Sequence, residues 1–114
     1  MPRSHQRRPA LIHVATADLD VLDVLHALSD PTRMIITRTL YDDPERACGT
    51  FPVEVAPSTL SHHFRVLREA GVIHQREEGN RRLTTLRRAD LDERFPGLLD
   101  AIVSAYDRRS GEGG

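Results

Sequence analysis

Ser58, Ser61, His62, Arg65 and Arg68 lie close together on a stretch that reads as a helix from Pro57 to Ala70. Hydroxyl, imidazole and guanidinium groups are the side chains that bond to phosphate oxygens and base edges. The same stretch carries a single acid, Glu69. Leu60, Phe64, Leu67 and Ala70 recur at helical spacing, so an apolar stripe faces inward while the polar groups fall on other faces. Pro57 suits the first turn and Gly71 the position just past the end. A short helix of this kind fits a DNA major groove.

Other chemistries find less support. Adjacent helical residues point about 100° apart, so His62 and His63 do not naturally chelate one ion. No nucleophile, paired carboxylates or phosphate-cradling glycine loop accompanies them, and no enzyme is expected. The single cysteine, Cys48, excludes an intramolecular disulfide framework and a self-contained thiolate cage. His5, His13 and His26 have no spacing that demands a metal, so neither metal nor cofactor is expected. Cys48 has two readings: a small semi-buried residue, or a thiol switch favoured by the nearby Arg46 charge.

The formal net charge is -1, with 16 basic against 17 acidic residues. The distribution matters more than the total. Arg65, Arg68, Arg76, Arg81, Arg82, Arg87 and Arg88 cluster against Glu69, Glu77 and Glu78. From Ala89 to Asp107 the acids outnumber Arg94. Every basic residue of the 16 is arginine, the side chain suited to bidentate phosphate and guanine contacts. No stretch is long enough to span a membrane, and the Arg-rich start lacks an apolar signal core, which suggests a cytoplasmic protein.

The elements that position the helix can be read outward from it. Residues 1–16 read as a flexible basic arm, 17–107 as one domain and 108–114 as a flexible tail. A first helix runs from about Asp18 or Asp20 to Ser29, with Leu22, Leu25 and Leu28 on its broad apolar face. Asp30 caps and Pro31 opens a second helix, reaching about Tyr41. Arg33 lies near its start, where solvent exposure, a nearby acid or a phosphate would account for it. Residues 42–55 read as a loop anchored by Phe51, with a single turn available at Pro44 to Cys48. Residues 72–86 read as a hairpin turning at Gly79-Asn80, with Ile73 and Leu83 or Leu86 facing the core. Asp90 to Phe95 suggests a helical turn, and Pro96 can open a last helix to about Tyr106. Ala56 leaves the Pro57 helix without a side-chain cap.

Three motifs resemble the ArsR/SmtB-like family of dimeric winged helix-turn-helix repressors. They are Leu28-Ser-Asp-Pro-Thr-Arg33, Ser58 to Ile73, and Arg76-Glu-Glu-Gly-Asn-Arg81, in the family's order and spacing. The resemblance covers roughly Asp18 to Tyr106. It implies a mainly α fold with a β-hairpin wing, joined as a homodimer through the N- and C-terminal helices. Leu22, Leu25, Leu98, Leu99, Ile102, Val103 and Tyr106 are then the interface candidates. Ser58, Thr59, Ser61 and His62 match groove-facing positions and become base-reading candidates. His63, Arg65, Arg68, Arg81 and Arg82 become backbone or wing contacts. The implied partner is a double-stranded inverted-repeat operator, and the implied function is transcriptional repression. Two typical metal sites of the family are incomplete: only Cys48 precedes the recognition helix, and Asp100 stands without a histidine from Asp90 onward. The effector is unknown, with Cys48 the candidate redox switch. The alternative is a winged helix that docks proteins without a specific operator.

Overall fold

Two aspartates start the first two helices. Helix α1 spans Val21–Leu28, and the Asp20 carboxylate accepts the Leu22 amide at 2.9 Å. The residues Thr16–Asp18, placed near the expected start, form a separate 3-10 turn. Helix α2 spans Pro31–Asp42, and Asp30 accepts the amides of Thr32 and Arg33 at 2.9 and 3.1 Å. These bonds satisfy first-turn donors that lack partners within a helix. The structure, a computed structural model, describes residues 11–113. The expected arm from Met1 to Pro9, with His5, lies outside the described residues.

The stretch after α2 departs from expectation. Glu45–Ala47 forms strand β1, where a loop or helical turn was expected, and Cys48–Thr50 forms a 3-10 turn. The strand exists because a partner is waiting, with Glu45 opposite Thr85 and Ala47 opposite Leu83. Local propensity in so short and polar a segment carries little of that information. Phe51 is the anchor expected of it, buried and edge-on to Phe64 at 5.4 Å.

Helix α3 spans Pro57–Ala70, as its end signals predict. Gly71 follows at φ +88°, a left-handed C-terminal stop. Strands β2 (Ile73–Glu78) and β3 (Arg81–Leu86) form the hairpin, and the sheet order is β1-β3-β2. Of the two turn residues only Gly79 takes a positive φ, so Asn80 does not share that role. Ile73 and Leu86 join the main core, whereas Leu83 is buried apart from it, between Arg76 and Ala47 in the ladder.

Helix α4 spans Arg88–Arg94 and α5 spans Leu98–Gly113. Pro96 therefore lies in the turn before α5 and does not open it. Helix α5 also continues through residues read as a tail. Its Leu99 and Val103, offered as dimer contacts, are each 3% exposed and belong to this chain's own core.

The segment preceding α1 also packs. Residues 13–19, most of them assigned to the arm, pass over the α3–β2 junction. A Cβ on Gly71 would lie 2.0 Å from Leu19 Cδ2 and 2.8 Å from Val14 Cγ1. Gly71→Ala therefore meets both a crowded core side chain and a disfavoured backbone angle. It is expected to destabilise the fold by roughly 1–3 kcal/mol, read as a lowered midpoint in urea denaturation.

Candidate nucleic-acid interface

The seat of α3 decides which of its polar groups reach outward. Phe64, Leu67 and Ala70 are buried on its inner face. Ser58, Thr59, Ser61, His62 and Arg65 are all exposed. At the N-terminus Ala56 makes no side-chain cap, as expected. Pro57 has no amide hydrogen, and the Leu60 amide bonds to the Ala56 carbonyl at 2.9 Å. That leaves the amides of Ser58 and Thr59 as donors available to an anion approaching the helix start.

His63 corrects the assignment to the DNA backbone. It is 9% exposed and faces inward. Arg33 Nη1 lies 3.2 Å from His63 Nδ1, and a guanidinium has no acceptor, so Arg33 donates. Arg33 itself is 8% exposed, which overturns the solvent-exposed reading. Its Nε donates to the Ala27 carbonyl at 2.7 Å, and Asp30 Oδ2 stands 3.8 Å from His63 Nδ1. One buried cluster thus joins α1, the start of α2 and the middle of α3. Burial pushes the Asp30 carboxyl up, but the Arg33 amide bond, with His63 and Arg33 nearby, outweighs it and holds the group below its ordinary 3.8.

Arg68 is likewise less free than a backbone contact requires. It is half-buried, and its Nη1 donates to Gln75 Oε1 at 2.7 Å. Burial, reinforced by Arg82, lowers its pKa from the ordinary arginine value, although it stays charged at working pH. Gln75 is 1% exposed, and its Nε2 donates to Thr84 Oγ1 at 3.1 Å and to Cys48 Sγ at 3.3 Å. The role of Gln75 was not anticipated. Its place two residues after buried Ile73, on the same strand face, was the available signal.

The wing is more neutral than its arginine count suggests. Arg82 is half-buried and pairs with Glu77 at 2.8 Å. Arg76 pairs with Glu45 at 2.5 Å and Glu78 at 3.1 Å. Arg65 and Arg81 are exposed and form no ion pair among the described residues. Between wing and helix runs a groove of about 400 Å³, lined by Leu60, Ser61, Phe64, Gln75, Arg82 and half-buried Cys48, among others. Arg46, expected to influence Cys48, is instead held by Asp43 at 3.1 Å and by the Thr50 carbonyl, with Phe51 beneath it.

The remaining candidates divide by burial. Leu22 and Leu25 are 69% and 43% exposed, while Leu98, Ile102 and Tyr106 are half-buried. Asp100 accepts from Tyr41 and pairs with Arg88 at 3.4 Å. No group of three or more potential metal ligands occurs among the described residues. No helix there is long and apolar enough to cross a membrane.

Helix α3, with an exposed polar face and followed directly by the β2–β3 hairpin, has the arrangement of a winged helix-turn-helix protein. A family model for bacterial regulatory proteins of the arsR family matches residues 30–75. The HTH-type transcriptional regulator YceK of Bacillus subtilis is 34% identical over 82 residues, 69% of this chain and 82% of that protein. MJ1325 of Methanocaldococcus jannaschii, another HTH-type transcriptional regulator, is 32% identical over 59 residues, 50% of this chain and 66% of that protein. The solved transcriptional repressor BigR from Xylella fastidiosa superposes with a TM-score of 0.60 at 26% identity, over 75% of this chain and 85% of that one. A solved ArsR family regulator at 16% identity shares the fold with a TM-score of 0.56, over 90% and 99% of the two chains. The chain belongs to the ArsR family of DNA-binding transcriptional regulators.

The buried cluster generates a stability prediction. Because Asp30 is held below 3.8, its contribution is present above that pH and fades as pH falls through the lowered value. Asp30→Ala is expected to cost about 1–2 kcal/mol near neutrality, with the gap from the parent narrowing in acid. Urea denaturation at about pH 7 and about pH 3 measures it; a gap independent of pH would show that the carboxylate charge plays no part.

Proposed function

We propose that this regulator is a homodimeric repressor that occupies an inverted-repeat operator. The observation that carries the reading is the division of α3 into a buried seat and an exposed face bearing Ser58, Thr59, Ser61 and His62. Those four are the proposed base readers. The free amides at the helix start, Arg65 and Arg81 are the proposed phosphate contacts, with Arg82 shared between Glu77 and DNA. Arg68 acts mainly by bracing the helix against β2. The unit proposed for both tasks takes in the packed segment from His13 together with residues 17–107.

Pairing of two copies follows from the apolar groups left on the surface. Leu22 and Leu25 stand open on α1, and Leu98, Ile102 and Tyr106 are only half-covered on α5. Apolar side chains at 69% and 43% exposure favour a partner surface. A two-fold pair would present two α3 helices to successive major grooves, which is why the operator should be an inverted repeat.

Oxidation of Cys48 is the proposed release step. Peroxide transfers one oxygen to the sulfur and leaves as water. The added oxygen falls where Cys48 Sγ meets Gln75 Nε2 and Thr84 Oγ1, each at 3.3 Å. Gln75 also holds Arg68, so the change is felt at α3.

Operator binding by a variant series tests the first part. His62→Ala should narrow the preference for operator over random duplex, by roughly tenfold for one good base contact. Arg65→Ala with Arg81→Ala should weaken binding to all duplexes and flatten the dependence on salt. Leu22→Glu should sediment as a monomer and lose operator binding. A docking module without an operator would instead show weak binding, blind to sequence, in parent and variants alike. For the second part, peroxide should release the parent from DNA and leave Cys48→Ser bound; equal release of both excludes the thiol.

A further inference from the structure

We propose that His13 is a positioning residue of the DNA-reading head: its neutral ring latches the N-terminal segment to the open edge of β2, and protonation of the ring releases it. The proposal rests on the reading that α3 and the wing contact DNA.

Geometry assigns the neutral form. The two-residue turn closes on Glu78 and Arg81, so hydrogen-bonded pairs alternate from there back along the strands. The Gln75 amide consequently points away from β3, off the edge of the sheet. His13 Nε2 takes it up at 3.0 Å. A ring nitrogen that accepts from an amide carries no proton. The His13 ring also stacks on His74, with centroids 4.0 Å apart and an 18° tilt.

The surroundings oppose a charge on the ring. His74 from β2, Arg68 from α3 and Arg87 from the turn before α4 face it. The carboxylate of Asp90, on α4, lies near His74 and is already engaged by Arg87 at 2.9 Å. Arg87 also donates to the Val14 carbonyl at 2.7 Å, which ties down the residue next to His13. A proton on His13 would remove the acceptor for Gln75 and set a cation against two guanidiniums and a stacked imidazole. Burial first, then His74, Arg68 and Arg87, hold the His13 pKa below the ordinary 6.5. The docked segment therefore binds fewer protons than the released one, and the latch weakens as pH falls below about 6.5.

Release would reach the reading helix by two routes. The Gln75 side chain is the brace on Arg68. Val14 and Leu19 cover Gly71, where α3 stops. Losing the latch loosens both the helix terminus and the strand beside it.

Proton-detected titration of the free full-length protein tests the latch without DNA. The His13 ring should titrate below 6.5, and the Gln75 backbone amide shift should move with it. Titration at or above 6.5, or an amide that stays put, overturns the proposal. Operator affinity then tests the consequence. In His13→Gln the side-chain oxygen can accept the same amide but cannot take up a proton. Between about pH 7.5 and about pH 5.5 the parent should lose roughly three- to tenfold more affinity than His13→Gln. His62 is present in both proteins, so its contribution cancels. Identical pH profiles would overturn the coupling to DNA. A latch that titrates as stated, with no operator preference in either protein near neutrality, would overturn the DNA-reading assignment alone.

Discussion

Arg33 is a charge that the core holds only because three helices supply its bonds. Its guanidinium reaches the last turn of α1 through the Ala27 carbonyl and the middle of α3 through His63. Its own amide, at the start of α2, is capped by Asp30. A hydrogen bond to a charged group is worth about 1.5–3 kcal/mol, and a buried charge left without one costs more. The arrangement therefore fixes the rotation of α3 about its axis. With His63 turned inward, the residue before it must point about 100° away. His62 is exposed for that reason, and Ser58 and Ser61 share the outward side with it. The face left open to solvent follows from a contact on the opposite side of the helix.

The same structure tempers the electrostatic picture. A cluster of arginines beside the recognition helix looks, in sequence, like a strong positive surface. In three dimensions Glu45, Glu77 and Glu78 pair with Arg76 and Arg82. Solvent-exposed pairs of this kind add little to stability. They do lower the field that a phosphate would meet. What remains among the described residues is local and directional: two free amides at the helix start and the guanidiniums of Arg65 and Arg81, which form no ion pair there. Such a surface offers a phosphate placed donors more than bulk charge, in keeping with a chain whose net charge is -1.

Legibility in the sequence follows how local each signal is. The bounds of α3 were readable because Pro57 and Gly71 act on their own backbone. Asp30-Pro31 and the Gly79 turn were readable for the same reason. Strand β1 was not, since Glu-Arg-Ala becomes a strand only by pairing with β3. Polar burial was hidden as well. His63 and Arg33 are thirty residues apart, and nothing in either neighbourhood announces the bond between them. Along α5 the apolar spacing marked a helix with a wide apolar face. It could not say that Leu99 and Val103 face this chain's core while Ile102 and Tyr106 stay partly open.

The sheet adds a constraint that neither helices nor wing satisfy alone. Three strands leave two edges, and an unpaired edge amide beside a half-buried arginine is a weak point in a reading head. Strand β1 covers one side of β3. On the other side, β2 receives the chain's own N-terminal segment through His13, and Val14 and Leu19 close over Gly71. Gln75 sits where these demands meet. Its backbone serves the edge, its amide nitrogen serves Cys48 and Thr84, and its oxygen serves Arg68. A glutamine supplies donor and acceptor together, so one buried side chain can tie the strand to the helix without introducing a charge. Glutamate at this position would keep the acceptor for Arg68 but lose the donor for Thr84, and leucine would strand all three partners. The packing of α3 against β2 at this point therefore rests on a side chain that donates and accepts at once.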